Sequence, residues 1–297
     1  MHISVEARDL TALLASTSTS TSAGTDGLAT APYLSAFSAV IATDLPVTHV
    51  HMLNAAARLC GCPFYAAGAH GMYGFIFADL IAHTFTVTRE RPTTAAGGGG
   101  GGGGAPATRP GAVESLTRSV VAVATTRGDD GDGKTVELLT KRETYQPFIL
   151  ANTSPLSASL LRHPRRLRRV TPLLPCLRAL WEFETLHSRP PSPSSHEDLR
   201  AFTTLATVKA RELSLPLDVL RSDFLRSFMQ NAYAELAPVA AVLGGRLAQD
   251  VINVLGAREQ PIQNLLLFDG EASAAPIFAL RPIVTTADAA LDGGVMV

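Results

Sequence analysis

Between Leu34 and Ala67 the chain runs apolar, breaks, turns amphipathic, breaks again and returns to an apolar run, and this order narrows the possible folds more than any other feature. Leu34 to Thr43, LSAFSAVIAT, closes at Asp44-Leu45-Pro46 and reads as a buried strand ending in a loop. Pro46 suits the first turn of a helix, and Val47, Val50, Leu53, Ala57 and Cys60 recur at the helical spacing that makes one buried stripe through to Gly61. Pro63 to Ala67 supplies the next strand. A strand, helix and strand in this order form a crossover unit, which places both strands side by side and parallel in an α/β sheet. Phe75 to Leu80 and Phe85 to Arg89 continue the extended, aromatic-rich pattern.

A second helix-to-strand passage stands near the other end. Pro238 to Gly256 predicts a helix with Val239, Val242, Leu243, Leu247, Val251 and Leu255 on one face and Ala240, Ala241, Gly244, Gly245 and Ala248 on the other. Asn264 to Phe268 and Ile277 to Leu280 then read as strands. Two glycines inside a helix cost about 1 kcal/mol each relative to alanine, so close approach by another element should offset them. That element is a strand of the same sheet or a partner subunit, and part of the Gly244-Gly245 face is expected at or near a partner interface.

The middle of the chain has a different character. Eight consecutive glycines, Gly97 to Gly104, have almost no preferred conformation and read as a linker inserted in a surface loop. Ser119 to Thr125 and Thr135 to Leu139 flank the turn-rich Gly128 to Gly133 as a hairpin, and three helices are expected at Leu173 to His187, Glu197 to Leu213 and Ser222 to Tyr233. The expected organisation is a flexible segment 1–30, a first α/β part 31–90, an insertion 91–220 with linker, hairpin and helices, a second α/β part 221–285, and a tail 286–297.

Charge and cysteine content exclude several classes. A formal net charge of -1 gives no global pull toward nucleic acid or acidic membranes. Three cysteines cannot all pair, and Met1 to Leu14 carries Glu6, Arg8 and Asp9 in place of an apolar leader, so a reducing compartment is expected. No apolar run approaches the roughly 18 to 20 residues of a membrane span. Cys60 and Cys62 have one residue between them and no second Cys/His pair, so structural thiols are favoured over a metal site, and Cys176 reads as core. Arg162, His163, Arg165, Arg166, Arg168 and Arg169 form one dense basic run, open to reading as a solvated loop or as a nuclear-import signal; lacking interleaved aromatics, it argues least for nucleic acid.

Three stretches together resemble the ThiF-type adenylation family, and within it the smaller subunit of SUMO-activating enzymes: Val40-Ile41-Ala42-Thr43-Asp44, then Asn54 to Leu80, and most specifically Glu235 to Gly270, ELAPVAAVLGGRLAQDVINVLGAREQPIQNLLLFDG. The resemblance implies an α/β, ThiF-type (Rossmann-like), mostly parallel sheet, here lacking its first strands and carrying a partly helical insertion. It also implies a heterodimer. A catalytic partner would bind ATP and magnesium, adenylate SUMO and hold it as a thioester, while this chain would have no catalytic residue and bind no cofactor alone, meeting SUMO only indirectly, without nucleic acid or membrane. Nucleus, with cytoplasm as a second compartment, is the implied location.

In catalytic halves of that family an Asp at the position of Asp44 is followed by Asn and Arg and helps to bind magnesium and nucleotide, whereas Leu45 and Pro46 follow here. Asp44 is thus a vestigial cofactor-binding candidate, read rather as a helix-capping or loop residue. No glycine-rich phosphate turn follows a first strand, and the polyglycine tract lies outside any strand-turn-helix context. The segment from which the smaller subunit would lend an arginine to its partner is also missing, as a truncation or a gene-model artefact. His70 reads as a turn residue before a general acid or base, and Asp269 as a strand-end cap before a metal ligand. A binding scaffold without activity, the equivalent subunit for a NEDD-type modifier and an independent adenylyltransferase are the alternatives; the missing glycine turn argues against the last.

Overall fold

Two β-sheets and a set of helices make up the computed structural model, which describes residues 31–90, 109–127 and 135–282. The expected flexible segment 1–30, the Gly97–Gly104 linker, the Gly128–Gly133 turn and the tail 286–297 lie outside the described residues.

The crossover unit is present. Strand β1 (Val40–Thr43), helix α1 (Val47–Leu59) and strand β2 (Phe64–His70) follow one another, and β1 pairs with β2 in parallel. A one-turn helix at Ala31–Leu34 replaces the start of the expected first strand. β1 is also less buried than its apolar composition suggests. It lies at the edge of its sheet, with Ala42 turned inward and Ile41 outward.

The expectation of a mostly parallel sheet is corrected. The larger sheet has the order β1-β2-β3-β7-β8, with β3 at Tyr73–Asp79, β7 at Leu265–Asp269 and β8 at Ile277–Phe278. Only β1 and β2 run in parallel; β3, β7 and β8 each pair antiparallel. The cause is local. Gly71 and Met72 close β2 onto β3 as a two-residue hairpin, with Gly71 at φ +62°, where a Cβ would come within 2.6 Å of the Asn231 Cβ. A turn that short can only join antiparallel strands.

Alternation along the strands sends side chains to two separate apolar layers. Phe64, Ala66, Tyr73, Phe75, Phe77, Leu265 and Leu267 face one side, where α1 and the helices α3 (Leu173–His187), α4 (His196–Glu212) and α5 (Ser222–Asn231) complete the main core. Trp181 packs edge-on against both Phe75 and Phe148, each at 5.1 Å between centroids. The helices of the expected insertion therefore share one core with the sheet. The short helix α2 (Phe148–Thr153) leads into this layer, and buried Arg178 of α3 donates to its Ala151 carbonyl at 2.9 Å and to the Ser154 carbonyl at 2.8 Å.

Tyr65, Ile76, Ala78 and Leu266 face the other side, covered by α6 (Ala237–Leu255) through Val239, Leu243, Leu247 and Val254. Gly74 permits this close seating, since a Cβ there would meet the Leu243 side chain and the Gly68 carbonyl at 2.8 Å. Two positions of the expected stripe, Val242 and Leu255, are instead exposed. Their place inward is taken by Asp250, which accepts from the Tyr65 hydroxyl at 2.9 Å and from the Ile262 amide at 3.0 Å. The second sheet, β4-β6-β5, contains β4 (Ala82–Glu90) and the hairpin β5 (Arg118–Arg127) and β6 (Thr135–Thr144), all antiparallel.

Candidate functional site

A cleft of about 640 Å³ opens where β1 and β2 end and α1 begins. Such a place, at the carboxyl ends of parallel strands and the N-terminus of the crossover helix, is where open α/β sheets bind ligands. Asp44, the vestigial candidate, stands on its rim in the left-handed region (φ 51°), with its carboxylate accepting from the Ala69 amide at 3.3 Å. It is a loop residue bridging β1 to β2. The helix-capping alternative is not realised, since the N-cap position belongs to Pro46, which makes no side-chain cap.

The N-terminus of α1 is occupied from within the fold. Glu184 of α3 accepts from the Val47 amide at 3.4 Å and, through its other oxygen, from the Tyr233 hydroxyl at 2.5 Å. A carboxylate at a helix N-terminus satisfies the unpaired amide and the dipole in the way a bound anion would. Burial first, and the bond to Glu184 second, push the Tyr233 phenol well above its ordinary pKa, so it stays protonated and donates.

Nucleotide phosphates do not fit this arrangement. Glu184 fills the anion position, and Asp44 and Glu235 add two further carboxylates to the lining. Arg189 borders the cleft but binds Asp198 with both nitrogens, at 2.7 and 2.8 Å, and these hydrogen bonds draw the Asp198 carboxyl down to about 2. The other walls are largely apolar, with Phe75, Phe148 and Trp181 among them.

His70 is the last residue of β2, not the turn residue expected. Its Nδ1 lies 2.5 Å from the Ala232 carbonyl, to which it donates, and the ring stacks on Phe75. Burial lowers its pKa, against the opposing effect of that bond, and holds the ring neutral. Cys62 is buried with its thiol directed at the Phe37 carbonyl, Cys176 is fully enclosed, and no disulfide links the cysteines among the described residues. Burial raises the thiol pKa of both. Among the described residues no cluster of three or more His, Cys, Asp or Glu could hold a metal ion. Asp269 accepts from the Glu271 and Ala272 amides at 3.1 and 3.0 Å, closing a turn at the end of β7.

Gly244 and Gly245 lie on the outer face of α6, where an added Cβ would meet nothing within 4 Å. The strand of the same sheet is thereby excluded as the element that approaches them. Exposed Val242, Ile252 and Leu255 lie on the same helix. The basic run lies on the surface, around a one-turn helix at Pro164–Leu167.

Glu184, Tyr233 and Trp181 escaped sequence reasoning. Glu184 interrupts an apolar helix, which is a weak signal; its partner Val47 stands 137 positions away, which no local pattern reveals.

No protein-family model matches the chain. It is 30% identical over 246 residues to the DNA damage tolerance protein RHC31 of Saccharomyces cerevisiae, a match covering 82% of this chain and 64% of that protein. It is 28% identical over 247 residues to the DNA damage tolerance protein rad31 of Schizosaccharomyces pombe, covering 83% and 62%. With SUMO-activating enzyme subunit 1 of Homo sapiens the identity is 26% over 220 residues, covering 74% and 56%. The chain thus spans less than two thirds of the length of these relatives. Over most of its own length it is a homologue of SUMO-activating enzyme subunit 1 and of the DNA damage tolerance proteins RHC31 and rad31.

Proposed function

We propose that this chain serves as the regulatory subunit of a heterodimeric SUMO-activating enzyme. The observation that carries the reading is its similarity to SUMO-activating enzyme subunit 1 and to RHC31 and rad31 over 74 to 83% of its residues. The β1-α1-β2 crossover and the α6-β7 passage support a ThiF-type adenylation fold, in which this half is the non-catalytic one.

In this reading ATP and magnesium act in the catalytic partner, which adenylates SUMO and then carries it as a thioester. This chain supplies architecture. The internal carboxylate of Glu184 at the α1 N-terminus favours that division, because it competes with any phosphate for the same amide. The outer face of α6 around Gly244 and Gly245 is the surface on which the partner is seated, and the nucleus is the compartment in which the pair works.

Co-expression with the catalytic subunit tests the proposal. A one-to-one complex should elute from size exclusion, and the isolated chain should make no SUMO adenylate from ATP. An isolated chain that forms the adenylate, or one that fails to bind the catalytic subunit while binding that of the NEDD-type enzyme, would overturn it.

A further inference from the structure

We propose that the groove between the arginine run and the free edge of β8 is a docking site for an extended acidic peptide of a partner protein. The groove lies apart from the cleft at Asp44. It encloses about 450 Å³ and is lined by Leu156, Leu160, Arg166, Arg169 and Val170 from one segment and by Pro276 to Leu280 from the other.

Its charge is one-sided. Among the described residues two guanidinium groups line the groove and no carboxylate does. Arg166 and Arg169 are exposed, stand one helical turn apart, and make no ion pair among the described residues. Exposed Arg165 stands beside them, while Arg168 and Arg169 also border the neighbouring cavity that Asp218, Asp223, Asp269 and Glu271 line. The cations on the groove side repel one another, and an anionic ligand relieves that repulsion.

The opposite wall offers a backbone. Among the described residues β8 is the outermost strand of the larger sheet, and nothing pairs with its outer edge. The Leu267 amide donates to the Pro276 carbonyl and the Asn264 amide to the Phe278 carbonyl, both at 3.0 Å, so these groups face inward. Alternation then turns the amide and carbonyl of Ile277 outward, toward the groove. An open edge of this kind accepts an added strand, which gains main-chain hydrogen bonds from the edge and specificity from the pockets beside it.

An extended peptide satisfies all three features together. Its backbone pairs with Ile277, an apolar side chain enters between Leu160 and Val170, and carboxylates on the alternate residues reach Arg166 and Arg169. A nucleic acid would match the charge alone. It would leave the strand edge unused, and the only aromatic side chain of the lining, Phe278, is buried and offers no stacking platform.

The test uses the full chain and a fluorescein-labelled nine-residue peptide of alternating valine and glutamate, read by anisotropy. Saturable binding is expected, weakened at least about tenfold by Arg166→Glu with Arg169→Glu, a loss of about 1.4 kcal/mol. Both side chains are exposed and unpaired, so the unfolding midpoint of this variant should match the parent. Methylating alternate amides of the peptide should weaken binding to a similar extent, as should Ile277→Pro, which removes the outward amide. No saturable binding, binding indifferent to charge reversal or to amide methylation, or displacement of the peptide by an oligothymidylate that binds more tightly would each overturn the proposal.

Discussion

Leucine at both Gly244 and Gly245 should make the chain more stable and at the same time unable to hold its partner. Each glycine sits inside the α6 helix, Ala237–Leu255, and an added Cβ at either position meets no atom within 4 Å. No clash therefore opposes the gain in helix propensity, which is about 0.8 kcal/mol per glycine-to-leucine exchange, or about 1.5 kcal/mol for the pair. At roughly 2 to 4 °C per kcal/mol for a domain of this order, calorimetry of the isolated double variant should show Tm raised by about 3 to 6 °C. In the complex the same side chains would sit where two backbones must approach closely, and overpacking of about 1 to 3 kcal/mol per site would break the contact. Size exclusion with the catalytic subunit should show the two chains eluting separately. A lowered Tm would mean that another element of this chain already packs on that face. A complex that survives with Tm raised would place the interface elsewhere.

Three further outcomes follow from buried polar groups and from the cleft. Asp79 is fully buried and accepts from Asn54 at 2.7 Å, from Arg58 at 2.6 Å and from the Ile81 amide at 3.1 Å, so Asp79→Ala strands a half-buried cation and a buried amide. Breaking such a pair costs about 3 to 5 kcal/mol, and the partial exposure of Arg58 points to the lower end; urea unfolding that shows a loss under about 1 kcal/mol would contradict the role given to this network. Burial lowers the pKa of His51, His70 and His83, so below about 6.5 the unfolded chain binds more protons than the folded one. Their contribution to stability is present above that pH and lost as pH falls through the window down to the folded values. The urea midpoint should therefore decline from pH 7.5 to pH 5.5, less steeply once His51 and His83 are replaced by phenylalanine; an equal slope in parent and variant would refute the assignment. Titration of the isolated chain with ATP and magnesium should leave its Tm unchanged, and a saturable rise would show that Glu184 does not hold the helix N-terminus against phosphates.

The elements were more legible in the sequence than their arrangement. Helical spacing at Val47, Val50, Leu53 and Ala57 located α1, and the apolar runs at Phe64 and Leu265 located β2 and β7, because each pattern is complete within a few residues. Strand direction was misread where a single residue decides it. Gly71 turns β2 back at once into β3, yet a lone glycine between apolar runs can equally begin a long connection. On α6, periodicity placed Val242 and Leu255 inward, but the buried stripe passes through Asp250, whose cost is offset by Tyr65 and Ile262, 185 and 12 positions away. Asp44 was found from sequence because it follows a strand. The cleft around it depends on Glu184 and Tyr233, which reach it from other elements through tertiary packing.

If the proposed role holds, SUMO activation by the catalytic subunit should depend on this chain. Catalytic subunit, SUMO, ATP and magnesium should be mixed with and without it, and the SUMO thioester on the partner's cysteine followed on non-reducing gels. The thioester should form rapidly with the chain present and at trace level without it. A stable complex of the two chains that forms no thioester, or equal thioester formation in its absence, would contradict the account.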